Sequence, residues 1–125
     1  MKADRQFVLD YAEENYGTVP EYPWEGTPDA AVLRHRTNKK WYGLVMSVSR
    51  KTLGLEGSGS ADILNVKCDP QLIGSLLMKK GFLPAYHMNK THWLSILLDG
   101  SVDAQETAML LDESFGLTSS GKRRK

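Results

Sequence analysis

The chain has 125 residues, 41% hydrophobic and 25% charged, an ordinary globular composition for one domain with a normal core. Its single cysteine, Cys68, excludes an internal disulfide and suits a reducing compartment. No apolar run approaches the length of a membrane span, and Asp4, Arg5 and Asp10 stand where a secretion signal would need apolar residues, so a cytoplasmic protein without a membrane partner is expected.

The net charge of +1 conceals a segregation. Residues 1–30 carry −5, residues 91–121 carry −5, and the tail Lys122–Lys125 carries +4. Between them, residues 31–51 carry +6 and no acid, through Arg34, Arg36, Lys39, Lys40, Arg50 and Lys51. Without its tail the body is −3, whereas a dedicated nucleic-acid binder is usually basic as a whole. A local basic face stays open, because a field depends on distribution as well as on the sum.

In chain order, Ala3, Phe7 and Tyr11, with Val8 and Ala12 beside them, predict a helix over 3–16, stopped at Gly17. Pro20, Pro23 and Pro28 predict an extended loop to Asp29. Ala31–Arg36 and Trp41–Val48 read as a hairpin around Thr37-Asn38-Lys39-Lys40. The glycine- and serine-rich stretch from Leu53 to Ala61 reads as a flexible connection, and Ile63–Cys68 as a third strand. Asp69-Pro70 is a helix start, with Leu72, Ile73, Leu76 and Leu77 as its buried stripe and Gly81 as its stop. His92–Leu98 is a fourth strand, and Ser101 caps a last helix carrying Ala104, Ala108, Leu111 and Phe115.

The expected order is α-β-β-β-α-β-α: a two-layer α+β domain over residues 1–118, an antiparallel sheet with its helices on one face, and a disordered basic tail over 119–125. Alternation places Leu44, Met46, Val48, Leu64, Val66, Cys68, Leu94, Ile96 and Leu98 toward the helices. It leaves an uncovered face with Arg34, Arg36, Trp41, Gly43, Val45, Lys67, Trp93 and Leu97.

Two segments carry candidate chemistry. On the first, Lys39 and Lys40 at the hairpin turn can reach phosphates as a β-ribbon enters a groove, with Arg34, Arg36, Lys67 and Lys90 as further bases. The plain alternative is a solvated turn guarding a strand edge. Trp41 or Trp93 can stack on an unpaired base, or else be buried under a loop or in a dimer. On the second, Tyr86, His87, Asn89, Lys90, His92 and Trp93 offer donors for a small anion, unless they simply tie the loop to the backbone. His87 and His92 lack a metal-ligand pattern, with His35 a third ligand only if the fold brings it close, Cys68 reads as a buried inert thiol, and no phosphate loop, dinucleotide fingerprint or nucleophile motif is present. No cofactor, metal or catalytic residue is therefore expected.

Asn65-Val66-Lys67-Cys68-Asp69-Pro70, Tyr86-His87-Met88-Asn89-Lys90 and His92-Trp93, with Tyr22-Pro23-Trp24 upstream, resemble the MmcQ/YjbR family from about Phe7 to Leu117. The resemblance implies a two-layer α+β domain like that of type III secretion chaperones. It also implies a DNA-binding protein with a double-wing motif, and it supplies no catalytic residues. The family's Tyr-Pro-aromatic-Gly is lengthened here to Tyr22-Pro23-Trp24-Glu25-Gly26. Three readings follow: a small non-enzymatic DNA-binding or regulatory protein with a basic hairpin wing; a chaperone-like interaction module or homodimer using the open face; or a binder of a small anionic ligand at the 86–93 loop.

Overall fold

A computed structural model describes residues 2–119. The Lys122–Lys125 tail lies outside the described residues. Helix α1 (Arg5–Tyr16) is capped by Asp4, whose carboxylate accepts from Phe7 N at 2.9 Å, and ends at Gly17 in the left-handed conformation. Strands β1 (Ala31–Arg34), β2 (Trp41–Ser49) and β3 (Ser60–Lys67) form an antiparallel meander. Helix α2 (Pro70–Leu76), the short strand β4 (Phe82–Pro84), strand β5 (Trp93–Leu97) and helix α3 (Ala104–Thr118) complete the domain. The sheet order is β1-β2-β3-β5-β4, every pairing antiparallel.

All three helices contribute to one core on the same sheet face: Val8 and Ala12 from α1, Ile73 from α2, and Leu110 and Leu111 from α3 meet Leu33, Val45, Leu64, Val66, Leu94 and Ile96. The fold is the expected two-layer α+β arrangement. Tyr11 and Tyr16 of α1 both donate to the Asp112 carboxylate of α3, tying the two helices at their outer edge.

The strand faces differ from the alternation in one place. Val45 and Gly43, expected outward, face the helices, and Leu44, Met46 and Val48 lie on the opposite face. Val45 is held there by its partners Ala31 and Leu64, both of which point into the helix-side core. A bulge follows: Leu33 pairs with Gly43 and Arg34 with Trp41, so Tyr42 is left over and turns into the core while Trp41 stays outside. Apolar residues occur on both faces of β2, so hydrophobicity alone does not tell its sides apart.

The outer face is not open. Val48, Ala61, Ile63 and Leu97 are buried under Leu53 and Leu55 of the β2–β3 connection and under Tyr86. Ala30, Val32 and Leu44 are covered with Trp41 and Met88. The glycine-rich stretch packs over this face, held in part by Arg50 Nε donating to the Glu56 carbonyl at 2.6 Å.

The second helix is shorter than its pattern. It ends at Leu76, and Leu72 (45% exposed) and Leu77 (36% exposed) lie outside the core, because two turns present only Ile73, and partly Leu76, to the sheet. The cap of α3 is Asp103 rather than Ser101, its carboxylate accepting from Gln105 N at 3.0 Å.

Candidate nucleic-acid interface

At the hairpin end of the sheet, β2 and β3 begin to part. Ser114 of α3 fills the gap: its hydroxyl donates to the Tyr42 carbonyl at 2.6 Å and accepts from Lys67 N at 2.8 Å. The backbone polar groups freed by the bulge are satisfied from the helix, and the ends of β2 and β3 are tied together.

On the outer side of those ends lie Trp41 of β2, Lys67 of β3 and Trp93 of β5, the last two directly paired across the strands. All three are half-buried. Together with Lys39, Lys40, Met88 and Thr118 they line a cleft of about 320 Å³. Trp24 packs edge-on against Trp41, ring centres 5.8 Å apart, so the Tyr22-Pro23-Trp24 loop anchors on the outer face.

The hairpin tip is braced from below. Asn38 donates to the Thr118 carbonyl at 2.9 Å, and its side-chain oxygen accepts from Lys40 N at 2.8 Å. That Asx turn holds Lys39 at φ 67°, a conformation uncommon outside glycine. His35 is buried between Tyr42 and Phe115, with Nε2 2.8 Å from Thr118 Oγ1. Burial lowers its pKa, opposed by a hydrogen bond with the Phe115 backbone and assisted by Lys40.

The loop before β5 is shaped by buried groups. Asn65 and Ser95, both with no exposed surface, hydrogen-bond to each other and hold the Tyr86 backbone from both sides, Asn65 donating to its carbonyl and Ser95 accepting from its N–H, each at 3.0 Å. Asn89 caps the next turn: its side chain accepts from Thr91 N at 2.8 Å, and its carbonyl accepts from His92 N and Trp93 N. The side-chain oxygen of Asn89 is therefore engaged by the backbone.

Of the expected bases, Lys39, Lys40 and Lys67 converge on the cleft, and among the described residues none forms a salt bridge. Arg34 is on the outer face but is paired with Glu21 at 2.9 Å. Arg36 does not reach the cleft but lines a neighbouring cavity together with Arg34, His35 and Lys39. Arg50 and Lys51 fall at the far end of β2, roughly 25–30 Å from the turn at strand spacing. The +6 segment is thus two patches. Lys90 is exposed on the loop and does not line the cleft.

The anion set does not assemble around that cleft: of Tyr86, His87, Asn89, Lys90, His92 and Trp93, only Trp93 lines it. Tyr86 packs into the outer cluster, its ring edge-on to that of His87, and His92 is exposed while its carbonyl accepts from Cys68 N. Cys68 itself is buried, with its thiol pKa raised by burial and by Asp69 and Glu113. Among the described residues no group of three His, Cys, Asp or Glu side chains is placed to hold a metal, and no helix is long and apolar enough to cross a membrane. Two lining residues were not legible in advance. Met88 reads as a loop residue, and Thr118 joins only because α3 ends at the hairpin.

A family model described as YjbR matches residues 14–117. The chain belongs to the YjbR family. It is 47% identical over 114 residues to the uncharacterized protein YyaQ of Bacillus subtilis, covering 91% of this chain and 97% of that one. A crystal structure of a Pseudomonas syringae protein superimposes with a TM-score of 0.90 at 46% identity, covering 93% and 99% of the two chains. Deinococcus radiodurans protein DR2400 shares the fold, with a TM-score of 0.70 at 23% identity over 92% of this chain and 78% of that one. Within this YjbR domain the residues that carry the resemblance have distinct tasks: Asn65 positions a loop, Asp69 caps α2 with its carboxylate on Gln71 N, and Lys67 and Trp93 face the cleft.

Proposed function

We propose that this YjbR domain is a non-enzymatic DNA-binding protein that contacts phosphates from the hairpin end of its sheet. The observation that carries the reading is the convergence of Lys39, Lys40 and Lys67 on one cleft with no carboxylate partner among the described residues. Three unpaired ammonium groups on a body of net charge −3 make a local positive site on a chain that would otherwise repel a polyanion. Arg34, ion-paired with Glu21 at 2.9 Å, carries less of this reading than the three lysines. The alternative of a chaperone-like module or homodimer loses much of its expected surface, because two loops cover the outer face.

The test is fluorescence anisotropy with a labelled duplex across a salt series, for the wild type and a Lys39→Ala/Lys40→Ala double variant. Wild-type binding should weaken with salt, and the double variant should lower the slope of log K against log salt by up to about 0.9 for each phosphate it no longer neutralises. No measurable wild-type binding at low salt would sink the reading. An unchanged slope in a folded double variant would move the interaction away from the cleft.

A further inference from the structure

We infer that the cleft takes single-stranded DNA, stacking an unpaired base on Trp93 and Trp41 while Lys67, Lys39 and Lys40 meet the adjoining phosphates. This rests on the DNA reading above and narrows its ligand.

The aromatic groups argue for it. Trp41 and Trp93 come from strands separated only by β3, so their backbones stand roughly 10 Å apart, with Lys67 between them. A tryptophan is usually buried or occupied. These two are half-buried, and among the described residues Trp93 has no aromatic partner and Trp41 has only the edge-on Trp24. No lysine covers them either: among the described residues the one ammonium over a ring is that of Lys79, above Phe82. Both indoles are partly exposed and line a cleft with three lysines. Phosphates alone would need the lysines and not the indoles. In a duplex the base faces are hidden in the stack, whereas a single strand presents a base face and a phosphate together, as this cleft requires.

The size agrees. A volume of about 320 Å³ is at the low end for a site that takes a small organic group.

The experiment compares a labelled 12-nucleotide thymidine single strand with a duplex of equal length at one low salt concentration, by anisotropy and by quenching of tryptophan emission. The full chain is used, with wild type, Trp93→Leu and Trp93→Phe. The single strand should bind about tenfold tighter than the duplex and quench emission, the size expected for one stacked base. Trp93→Leu should abolish both the preference and most of the quenching, and Trp93→Phe should restore part of the preference. Duplex binding equal to or tighter than single-strand binding, with emission unchanged, overturns this inference and leaves the DNA reading standing. Absence of binding to either ligand overturns both. Should Trp93→Leu fail to fold, wild-type quenching and the Trp93→Phe ratio still decide.

Discussion

Asn65 donates to the Tyr86 carbonyl at 3.0 Å from a position with no solvent exposure, and so fixes the loop that carries Met88 and Trp93 to the cleft. Its side-chain oxygen accepts from Ser95, whose own oxygen accepts from Tyr86 N. Each polar atom in this triangle has a partner, which is what lets an amide and a hydroxyl sit inside an apolar sheet face. Replacing Asn65 with Leu breaks the triangle and leaves the Tyr86 carbonyl and the Ser95 hydroxyl without that partner. The expected cost is about 1–3 kcal/mol in urea unfolding, together with faster amide exchange across residues 85–92. A neutral variant with unchanged exchange would show that the loop is held by packing alone.

Leu111 tests the other face. It is 1% exposed and packs over Gly43, where a built Cβ would lie 3.5 Å from its Cδ1. Leu111→Ala should destabilise by about 2–5 kcal/mol, as for other fully buried leucines. The check is the midpoint of denaturant unfolding at constant slope. The same substitution at Leu77, expected in the core from its pattern but 36% exposed, should cost far less.

The contrast between those two leucines shows what the sequence could convey. The helix-side core was legible because α1, β3, β5 and α3 each bury one periodic stripe against the same neighbours, so Leu64, Val66, Leu94, Ile96 and Leu111 all lie where periodicity puts them. The facing of β2 was not legible, since its side is set by the partners of Val45 and by the bulge at Tyr42, and both of its faces are apolar. Strand β4 is three residues ending in proline, too short to show a period. For the cleft, Lys39, Lys40, Lys67, Trp41 and Trp93 were all visible as candidates. What the linear order could not show is that Arg34 finds Glu21 thirteen residues earlier, or that one strand length separates Arg50 and Lys51 from the turn.

Gly81 should not tolerate a side chain. Its φ of +95° is disfavoured for any L residue, and a Cβ there would meet Val102 Cγ2 at 2.5 Å. Its carbonyl also accepts from Leu97 N at 2.8 Å, so the turn cannot shift without loosening β5. Gly81→Ala should destabilise by more than about 1 kcal/mol, read as a lower melting temperature. Gly26→Ala, where a Cβ meets nothing within 4 Å, is the matched control and should be close to neutral.

His35 makes stability depend on pH in a stated direction. Burial lowers its pKa in the folded chain, so the unfolded chain binds the proton first as the pH falls. The contribution of the neutral imidazole is full above the unfolded value of about 6.5 and is lost progressively below it, until the folded value is passed. Urea midpoints measured from pH 8 to pH 5 should therefore decline below about 6.5, and His35→Gln should flatten that decline. An identical decline in the variant would assign it to other groups.

The two ends of β2 give the sharpest functional contrast. Arg50 and Lys51 belong to the same acid-free run as Lys39 and Lys40, and on charge alone the pairs are equivalent. In the fold they are a strand length apart, and Arg50 is engaged with the Glu56 carbonyl. That separation, roughly 25–30 Å, exceeds the Debye length of about 10 Å at 0.1 M salt, so the far pair contributes little field at the cleft. Binding of a labelled DNA ligand should thus keep its affinity and salt slope in Arg50→Ala/Lys51→Ala, and both should fall in Lys39→Ala/Lys40→Ala. Equal reductions in the two double variants would mean that overall charge, rather than the cleft, governs binding.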